Sequence, residues 1–536
     1  MKNLHKILKR VFTSPFFCVI IFENKLYRMV NIVEKIAIID LGSNTARLLL
    51  VDVSDEGYFQ ITDQLKEAPR LGEGVEKDGF LKPDRIKETI RTLKMFRKLC
   101  DVNGIERIIA VATAAVRRAK NQRSFLDEVS ATCGIKLRVL SAEEEALYVY
   151  RGVINTMDVP KGIILEIGGG STKIVYYNRR NLLNYATLPF GAITLTEMFA
   201  DGTLSPQQQA EKVEEFFTEQ LKSVEWLKDV DPEAHLIGVG GSFRNLCRMT
   251  KIMKKYPLRT IHNYVVTDDD FNHVYDLLKS LDLDRKKRIK GLSSGRADIL
   301  PSAMAVVSAF KKYMNLGNIV ISGSGLRTGI MFNYALPTTV DKPVSDVLTY
   351  SLNSITSFYG CEKKHTEQVV MLSVQLFKQL RVLHKFPRQY LKILKVAAYL
   401  YDTGKRIQFY NYEKHSGYII LNSNIYGISH RDLVMASFVA SCSAIEDINP
   451  FDWARFKDLV GDDDVDVVKK MGVMLRIASC LDRSLSSAVN GINCDILGDS
   501  VIMKTEVDGD ATLEINSAKE IGQDFRKIFK KNLEIL

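Results

Sequence analysis

Two short glycine-containing stretches, DLGSNT at residues 40–45 and EIGGGST at residues 166–172, decide the fold of this 536-residue chain. Each stretch begins with an acid and lies between two apolar runs that have the composition of β-strands. Glycine lets the backbone turn tightly and brings amide N–H groups towards an anion, and an acid at the end of a strand can hold Mg²⁺ or position a water. Two such hairpins that face each other would form a two-sided phosphate clamp.

Two later glycine-rich runs, GVGGSFR at 238–244 and SGSGLR at 322–327, each follow an apolar strand pattern and precede a helical one. The N-terminus of a helix binds anions. A single run of this kind is usually a plain turn, whereas four of them together favour a phosphate-binding cleft. The Walker pattern of P-loop enzymes does not occur in the sequence. The match of residues 291–295 to a hydrolase nucleophile motif follows basic residues instead of a buried strand, so we regard it as chance.

The segment SAEEEA, residues 141–146, opens a helical pattern and carries the candidate catalytic acids. Ser141 and Glu144 match a capping box, and acids are favourable at a helix N-terminus. The functional alternative is that Glu144 faces the phosphate clamp and acts as a general base on water. Arg117 follows an earlier strand pattern and is either a surface arginine or a bidentate phosphate contact.

The order of the patterns predicts four structural units after a short leader. Strand and helix patterns alternate up to residue 336, which is typical of an α/β fold. The segment 337–343 contains two prolines and is interpreted as a linker, after which long helical patterns dominate. The predicted units are α/β domains at 34–155 and 156–336, a helical domain at 345–493, and a small unit of strands and a helix at 494–536.

The composition is that of an ordinary folded protein, with 46% apolar and 26% charged residues, which excludes disordered, collagen-like and polytopic membrane chains. The formal net charge is +10, and residues 1–28 hold half of this excess. The mildly basic remainder accommodates a polyanion but does not require nucleic acid. The eight cysteines are scattered and form no CxxC pattern, which indicates free thiols in a reducing compartment and therefore a cytoplasmic protein.

Residues 1–33 are interpreted as a leader outside the fold. The apolar stretch 11–22 is shorter than the roughly 20 residues that span a bilayer, and no A-x-A-like cleavage site follows it. Met29 stands just before the first strand pattern and is a candidate for the true start. A membrane anchor stays open as the alternative, although no stable membrane insertion is expected.

Taken in order, the motifs resemble the exopolyphosphatase/guanosine pentaphosphate phosphatase (Ppx/GppA) family, part of the sugar-kinase/actin/heat-shock-ATPase superfamily. The resemblance covers roughly residues 35–335 and implies two actin/sugar-kinase-like (ribonuclease H-like) α/β domains, followed by an all-α HD-like domain and a small α+β tail. It also implies hydrolysis of a terminal phosphoanhydride bond, with Mg²⁺, in the cleft between the two α/β halves. The motifs that carry it are DLGSNT, ATAAVR, SAEEEA, EIGGGST, VGGSFR, RADILP and SGSGLR.

By motif, the resemblance implies that Glu144 is the catalytic glutamate and that Asp40 and Glu166 organise a metal ion or water. The chain has Glu166 where the family usually has aspartate and Lys173 where it usually has an acid. The amine removes a candidate metal ligand and could contact polyphosphate directly as a point charge. The substrate contacts that the resemblance implies are Ser43, Asn44, Arg117, Gly168, Gly169, Gly170, Ser171, Lys173, Gly240, Gly241 and Ser242.

The helical domain resembles the HD-type phosphohydrolase domain of long family members. An active HD domain ligates metal through a His…His-Asp…Asp set, and here a tyrosine, a poor replacement for imidazole, stands at the second histidine. We therefore expect a degenerate domain that either extends a basic groove, together with the basic residues of 285–290, or forms a dimer interface. The residues that carry this resemblance are His365, Tyr401, Asp402, His415, His430 and Asp482.

The function predicted from the sequence is that of a homodimeric exopolyphosphatase in which Glu144 activates water with Mg²⁺. The first alternative is a guanosine pentaphosphate 5′-phosphohydrolase, which no feature of the sequence separates from it. The second is a non-catalytic sensor of polyphosphate or an alarmone, which Lys173 and Tyr401 favour. A kinase of the superfamily also stays open.

Overall fold

The computed structural model describes residues 32–200, 203–340, 342–442 and 450–536. The interpretation of residues 1–31 as a leader, with Met29 as the start, lies outside these residues. Residues 32 and 33 belong to the first strand, so the fold begins slightly earlier than predicted. Within the described ranges, none of the helices combines the length and the apolar character needed to cross a membrane.

The first α/β half is built on a five-stranded sheet with the order β3-β2-β1-β4-β5, in which β1 is antiparallel to β2 and parallel to β4. Residues 37, 39 and 41 of β1 face one apolar cluster and residues 36 and 38 face another, so the sheet is covered on both faces. The strands are β1 (Ile32–Leu41), β2 (Ala46–Ser54), β3 (Phe59–Glu67), β4 (Arg107–Ala112) and β5 (Leu137–Val139). The helices are α1 (Val75–Asp78), α2 (Pro83–Val102), α3 (Ala114–Arg118), α4 (Gln122–Cys133) and α5 (Ala142–Ile154).

The second half repeats this plan in a six-stranded sheet with the order β10-β11-β9-β6-β7-β8. The antiparallel β6–β7–β8 unit corresponds to β1–β2–β3, and the parallel strand β9 corresponds to β4. The strands are β6 (Lys161–Ile167), β7 (Thr172–Asn178), β8 (Asn181–Leu188), β9 (His235–Val239), β10 (Tyr264–Val266) and β11 (Ile319–Ile321). The helices are α6 (Ala192–Met198), α7 (Pro206–Lys222), α8 (Gly241–Met253), α9 (Asp268–Ser280), α10 (Leu283–Lys287), α11 (Leu300–Met314) and α12 (Leu326–Ala335).

The two halves exchange one helix each. Helix α5 precedes the second sheet in sequence and packs on it, because Val149 and Val153 lie in one apolar cluster with Ile164 of β6. Helix α12 follows the second sheet and packs on the first, where Ile330 and Met331 complete the cluster beneath β1. The predicted domain boundary at residue 155 is therefore wrong for α5. It assigns this helix to the first half by its position in the sequence, whereas the helix packs on the sheet of the second half.

The C-terminal region combines helices with a three-stranded sheet around one shared apolar core. The helices are α13 (Val347–Phe358), α14 (Lys363–Gln379), α15 (Arg381–His384), α16 (Leu391–Leu400), α17 (Tyr412–Asn422), α18 (His430–Ser441), α19 (Pro450–Ala454), α20 (Asp463–Cys480), α21 (Thr512–Lys519) and α22 (Gly522–Phe529). The strands are β12 (Val489–Leu497), β13 (Ser500–Val507) and β14 (Asn532–Ile535). The predicted boundary between residues 493 and 494 falls inside β12. It does not separate two structural units, because the sheet and the helices share one apolar core.

Candidate active site

The two acid-glycine hairpins meet at a cavity of about 560 Å³ between the two sheets. Both hairpins close with the same turn, in which Gly42 N–H donates to the Thr45 carbonyl (3.0 Å) and Gly168 N–H donates to the Ser171 carbonyl (2.9 Å). The turns approach each other so closely that a Cβ on Gly169 would lie 2.9 Å from Ser43 Cβ. The structure therefore has the two-sided arrangement that the repeated motif predicts.

The other two glycine runs reach the same cavity, because β9 and β11 are parallel to β6 and end at the same edge of the sheet. Gly240 has a φ of 96°, and a Cβ there would lie 3.2 Å from Glu166 Oε1. This position requires glycine both for the backbone conformation and for the close approach to the acid.

Most of the predicted substrate contacts line this cavity. Asn44 and Ser171 carry buried side-chain polar atoms with no hydrogen-bond partner among the described residues, so they are available to a ligand. Ser242 does not line the cavity, because its side chain is fully buried beneath the loop. The predicted contacts that do line it are Ser43, Asn44, Gly168, Gly169, Gly170, Ser171, Lys173, Gly240 and Gly241.

The prediction that Glu144 faces the clamp is wrong. Its carboxylate accepts a hydrogen bond from the Ser141 backbone N–H (2.9 Å), and Ser141 Oγ accepts one from the Glu144 N–H (3.0 Å), which completes the capping box. The side chain is 37% exposed, pairs with Arg138 at 2.6 Å and is not among the residues that line the cavity. The bond from Ser141, followed by Arg138, lowers the pKa of Glu144. The capping alternative describes this residue correctly.

The acid that does line the cavity is Glu145, which sequence reasoning missed. Its side chain is only 2% exposed, and its carboxylate binds the guanidinium of Arg117 and the ammonium of Lys173, which lies at 2.7 Å. Arg117 also donates to the Leu140 carbonyl at 2.7 Å and does not line the cavity. Arg117 therefore binds and orients Glu145, and the phosphate contact predicted for Arg117 stays a prediction.

Lys173 lies between Glu166 of the second hairpin and Glu145 of helix α5. Its register partner across β6–β7 is Glu166, and its Nζ lies 3.0 Å from Glu166 Oε2 as well as 2.7 Å from Glu145 Oε2. Burial acts to lower the pKa of Lys173, but Glu145 and Glu166 outweigh it and raise the pKa above its ordinary value. The buried amine is therefore a permanent cation at neutral pH.

These contacts do not fit the predicted Mg²⁺ site at Asp40 and Glu166. The Glu166 carboxylate is bound to an ammonium group, and burial raises the pKa of Asp40 despite the opposing charges of Arg327 and Arg47. Among the described residues, no group of three or more histidine, cysteine, aspartate or glutamate side chains is arranged to hold a metal ion. The Lys173 ammonium instead lies between the carboxylates of Glu145 and Glu166.

Besides Lys173, six cationic side chains line the cavity, and sequence reasoning assigned a role to none of these six. They form no ion pair with any described residue, and Arg244 donates to the Gly323 carbonyl at 2.9 Å. Burial and the neighbouring guanidinium groups lower the pKa of Arg244, and burial with Arg47 lowers the pKa of Arg296 and Arg327 to about 10. Such a concentration of unpaired positive charge attracts anions into the cavity. The six are Arg47, Lys66, Arg244, Arg248, Arg296 and Arg327.

The C-terminal region contributes Asn424 to the lining, whereas residues 285–290 contribute nothing to it. The basic run therefore does not line this cavity, and its part in a longer groove stays a prediction. The residues that carry the HD-like resemblance divide into two groups, of which the first is a cluster around His365. His365 Nδ1 lies 2.6 Å from Asp482 Oδ2, and its Nε2 contacts the Tyr401 hydroxyl and lies 3.4 Å from Asp402.

The two other predicted histidines of the HD-like set do not join this cluster. His430 contacts the Tyr256 hydroxyl (2.7 Å) and the His262 carbonyl (2.8 Å), both in the second α/β half. Burial lowers the pKa of His430 to about 4. His430 is therefore a neutral residue that connects the two regions, and His415 is half-buried elsewhere on α17.

Comparison with known families settles the class of protein. A family model described as the Ppx/GppA phosphatase family matches residues 50–337, and a model of domain III of the same family matches residues 347–519. The chain belongs to the Ppx/GppA phosphatase family. The family resemblance found in the sequence is thus confirmed, and the second match runs across the predicted boundary at residue 493.

Two curated relatives show the range of this family. The chain is 25% identical over 413 residues to a guanosine-5′-triphosphate,3′-diphosphate pyrophosphatase of Vibrio vulnificus, covering 75% of this chain and 79% of that protein. It is 29% identical over 320 residues to a bifunctional 3-dehydroquinate synthase/phosphatase of Fusobacterium nucleatum. That match covers 56% of this chain and 47% of the relative, so the chain spans about half of its length.

A solved structure agrees with the fold. An exopolyphosphatase from Cytophaga hutchinsonii superposes with a TM-score of 0.53 at 24% identity, covering 56% of this chain and 98% of that one. This likeness supports the fold of the two α/β halves. The family and these relatives support the predicted class of enzyme, a phosphoanhydride hydrolase of a kind that usually depends on a metal ion.

Proposed function

We propose that this chain is an exopolyphosphatase that releases orthophosphate from the end of inorganic polyphosphate. The observation that carries the proposal is the set of six unpaired cationic side chains along the cavity between the two sheets. A linear polyanion with one charge on every phosphate unit can neutralise several of them at once. Phosphoryl transfer depends chiefly on positioning and charge neutralisation, which these groups supply.

The terminal phosphate is held between the two glycine hairpins in this proposal. Asn44 Nδ2, the Ser171 hydroxyl and the amides of Gly169 and Gly170 belong to residues that line the cavity and can donate to phosphate oxygens. The phosphates that follow extend along the same cavity towards Arg244 and Arg248.

Glu145 is the general base. Arg117 and Lys173 orient its carboxylate, and each carboxylate oxygen keeps a further lone pair that can accept from water. The water oxygen forms a bond to the terminal phosphorus as the bridging P–O bond breaks, and the water proton moves to Glu145. The cationic side chains stabilise the negative charge that develops on the leaving oxygen. Orthophosphate and the shortened chain are the products.

The alternative substrate is guanosine pentaphosphate, towards which the name of the Vibrio relative points. No phenylalanine, tyrosine or tryptophan is among the described residues that line the cavity, so none of these large rings is present for a guanine base to stack on. The one ring in the lining is His262, which is bound to the Thr156 carbonyl at 2.9 Å and the Gly323 N–H at 3.2 Å. This lining favours polyphosphate. A cytoplasmic location and a homodimer stay predictions.

The test is the release of orthophosphate from long-chain polyphosphate and from guanosine pentaphosphate, measured side by side with purified protein. We expect kcat/KM to be higher for polyphosphate, and Glu145→Gln to lower it by about 10²–10⁴-fold, the usual contribution of a general base. Faster release from the nucleotide would overturn the substrate assignment. No release from either substrate by protein that binds polyphosphate would identify the sensor alternative instead.

A further inference from the structure

The hairpin register places a lysine where two acids of the cleft converge. Residue 173 is the second residue of β7 and pairs directly with Glu166 of β6, so both side chains lie on the same face of the sheet. That face receives the N-terminal turn of α5, which brings Glu145 to the same point from the other side. The amine thus contacts an acid from each of two separate elements.

The Lys173 side chain is 6% exposed, and all three residues line the cavity. An ammonium group has three N–H donors. Its contacts at 2.7 and 3.0 Å with Glu145 and Glu166 use two of them. The third donor remains for an anion in the cavity.

A divalent metal ion bound by the same carboxylate oxygens would have to displace this ammonium. Mg²⁺ binds oxygen ligands at about 2.0–2.1 Å and demands near-octahedral geometry. The displaced amine would stay buried beside a dication, where the charge repulsion is strong. With an acid at residue 173, in contrast, three carboxylates would meet at one point and would need a metal ion between them.

We propose that the Lys173 ammonium is the resident cation of this cleft, taking the place of a protein-bound divalent metal ion between Glu145 and Glu166 and donating to the terminal phosphate. This inference rests on the proposed function for the identity of the phosphate ligand. The positive charge is part of the chain and is present in every molecule. Binding of polyphosphate then needs no added divalent metal.

The first experiment counts bound Mn²⁺ by electron paramagnetic resonance, without any phosphate present. We expect Lys173→Glu to bind one Mn²⁺ per chain more than the parent protein, and Lys173→Glu combined with Glu166→Gln to lose it again. A parent protein that binds Mn²⁺ and loses it through Glu166→Gln would overturn the proposal, because the metal would then occupy the position assigned to Lys173.

The second experiment measures polyphosphate binding by the parent protein in excess EDTA and in Mg²⁺, so that it does not depend on any variant folding. We expect the Kd values of the parent in EDTA and in Mg²⁺ to agree within about threefold. We expect Lys173→Met to raise the Kd in EDTA by about tenfold or more, which is the usual contribution of a hydrogen bond to a charged group. Binding by the parent that is lost in EDTA would overturn the proposal. Neither experiment uses turnover, so failure of the hydrolase assignment would be recognised separately.

Discussion

Glu144 and Glu145 are adjacent on helix α5, but their carboxylates lie in different environments. The side chain of Glu144 is 37% exposed and binds Arg138, whereas that of Glu145 is 2% exposed and binds Arg117 and Lys173 in the cavity. Successive helical residues differ by about 100° around the axis, so a one-residue shift moves a side chain from solvent to the cavity. One residue therefore caps the helix, and the next lines the cavity, where we propose that it acts as the general base.

The matched pair Glu145→Gln and Glu144→Gln separates these two roles. We expect kcat for polyphosphate hydrolysis to fall by about 10²-fold or more in Glu145→Gln and to stay within about threefold of the parent value in Glu144→Gln. Orthophosphate release under saturating substrate is the measurement. Equal losses in both variants would show that the helix N-terminus, and not the Glu145 carboxylate, limits the reaction.

The capping role of Glu144 has its own pH signature. The capping box is lost in Ser141→Ala, and we expect the free energy of unfolding to fall by about 1 kcal/mol. The folded state lowers the pKa of Glu144 below its ordinary value of 4.5, so the stabilisation from its charge is present above pH 4.5 and is lost as the pH falls further. Urea unfolding of the parent and Glu144→Gln between pH 3 and pH 7 should therefore show a difference that shrinks at the acidic end.

The unpaired arginines should control affinity for the polyanion. Arg248 lies at the cavity and is exposed, so Arg248→Ala can remove charge without disturbing the core. We expect KM for long-chain polyphosphate to rise by about tenfold, and its dependence on salt concentration to become weaker. Arg91→Ala is the control, because the Arg91 side chain is 82% exposed on α2, away from the cavity. A similar rise in KM in that variant would indicate a general effect of net charge.

The crossing of α5 and α12 should not tolerate a larger residue. A Cβ on Gly329 would overlap the Tyr148 carbonyl oxygen, and one on Gly152 would overlap the Gly325 carbonyl oxygen. We expect Gly329→Ala to lower the free energy of unfolding by about 1–3 kcal/mol, since overpacking forces backbone shifts. Gly317→Ala is the matched control, because a Cβ at that position meets no described atom within 4 Å. Thermal unfolding of both variants measures the difference.

His365 should make the C-terminal region less stable in alkaline solution. Burial acts to lower the pKa of His365, but Asp402 and Asp482 outweigh it and raise the pKa to about 9. Lys405, which pairs with Asp402 at 2.7 Å, is the other charged group in contact with this cluster. The stabilisation is fully present below the ordinary pKa of 6.5 and is lost as the pH rises through 9.

The measurement for this prediction is denaturant unfolding of the parent and His365→Gln from pH 6 to pH 10. We expect the parent to lose stability across this range and the variant to depend on pH less steeply. His430→Gln provides the contrast, because a pKa lowered to about 4 makes its effect appear only in acid. A parent protein that is equally stable at pH 6 and pH 10 would contradict the prediction.

The hairpins were predictable from the sequence because a hairpin depends on residues close together in the chain. The glycine turns set the register, so Asp40 opposite Arg47 and Glu166 opposite Lys173 follow from local spacing alone. The position of Glu145 also left a local signal. Val149 and Val153 follow it at intervals of four residues and are buried, which places Glu145 on the same face of α5.

The sequence by itself determined the repeated α/β plan, the family and the glycine turns at the cavity, since each rests on short-range patterns. Only the tertiary structure decided which charges meet. Arg47, Arg244, Arg296 and Arg327 come from four separate segments, and α5 and α12 each pack on the sheet of the other half. Electrostatic interaction depends on distance through space, and those distances are set by how the two sheets pack. The unpaired cationic cavity and the ammonium of Lys173 between two acids are therefore properties of the folded chain.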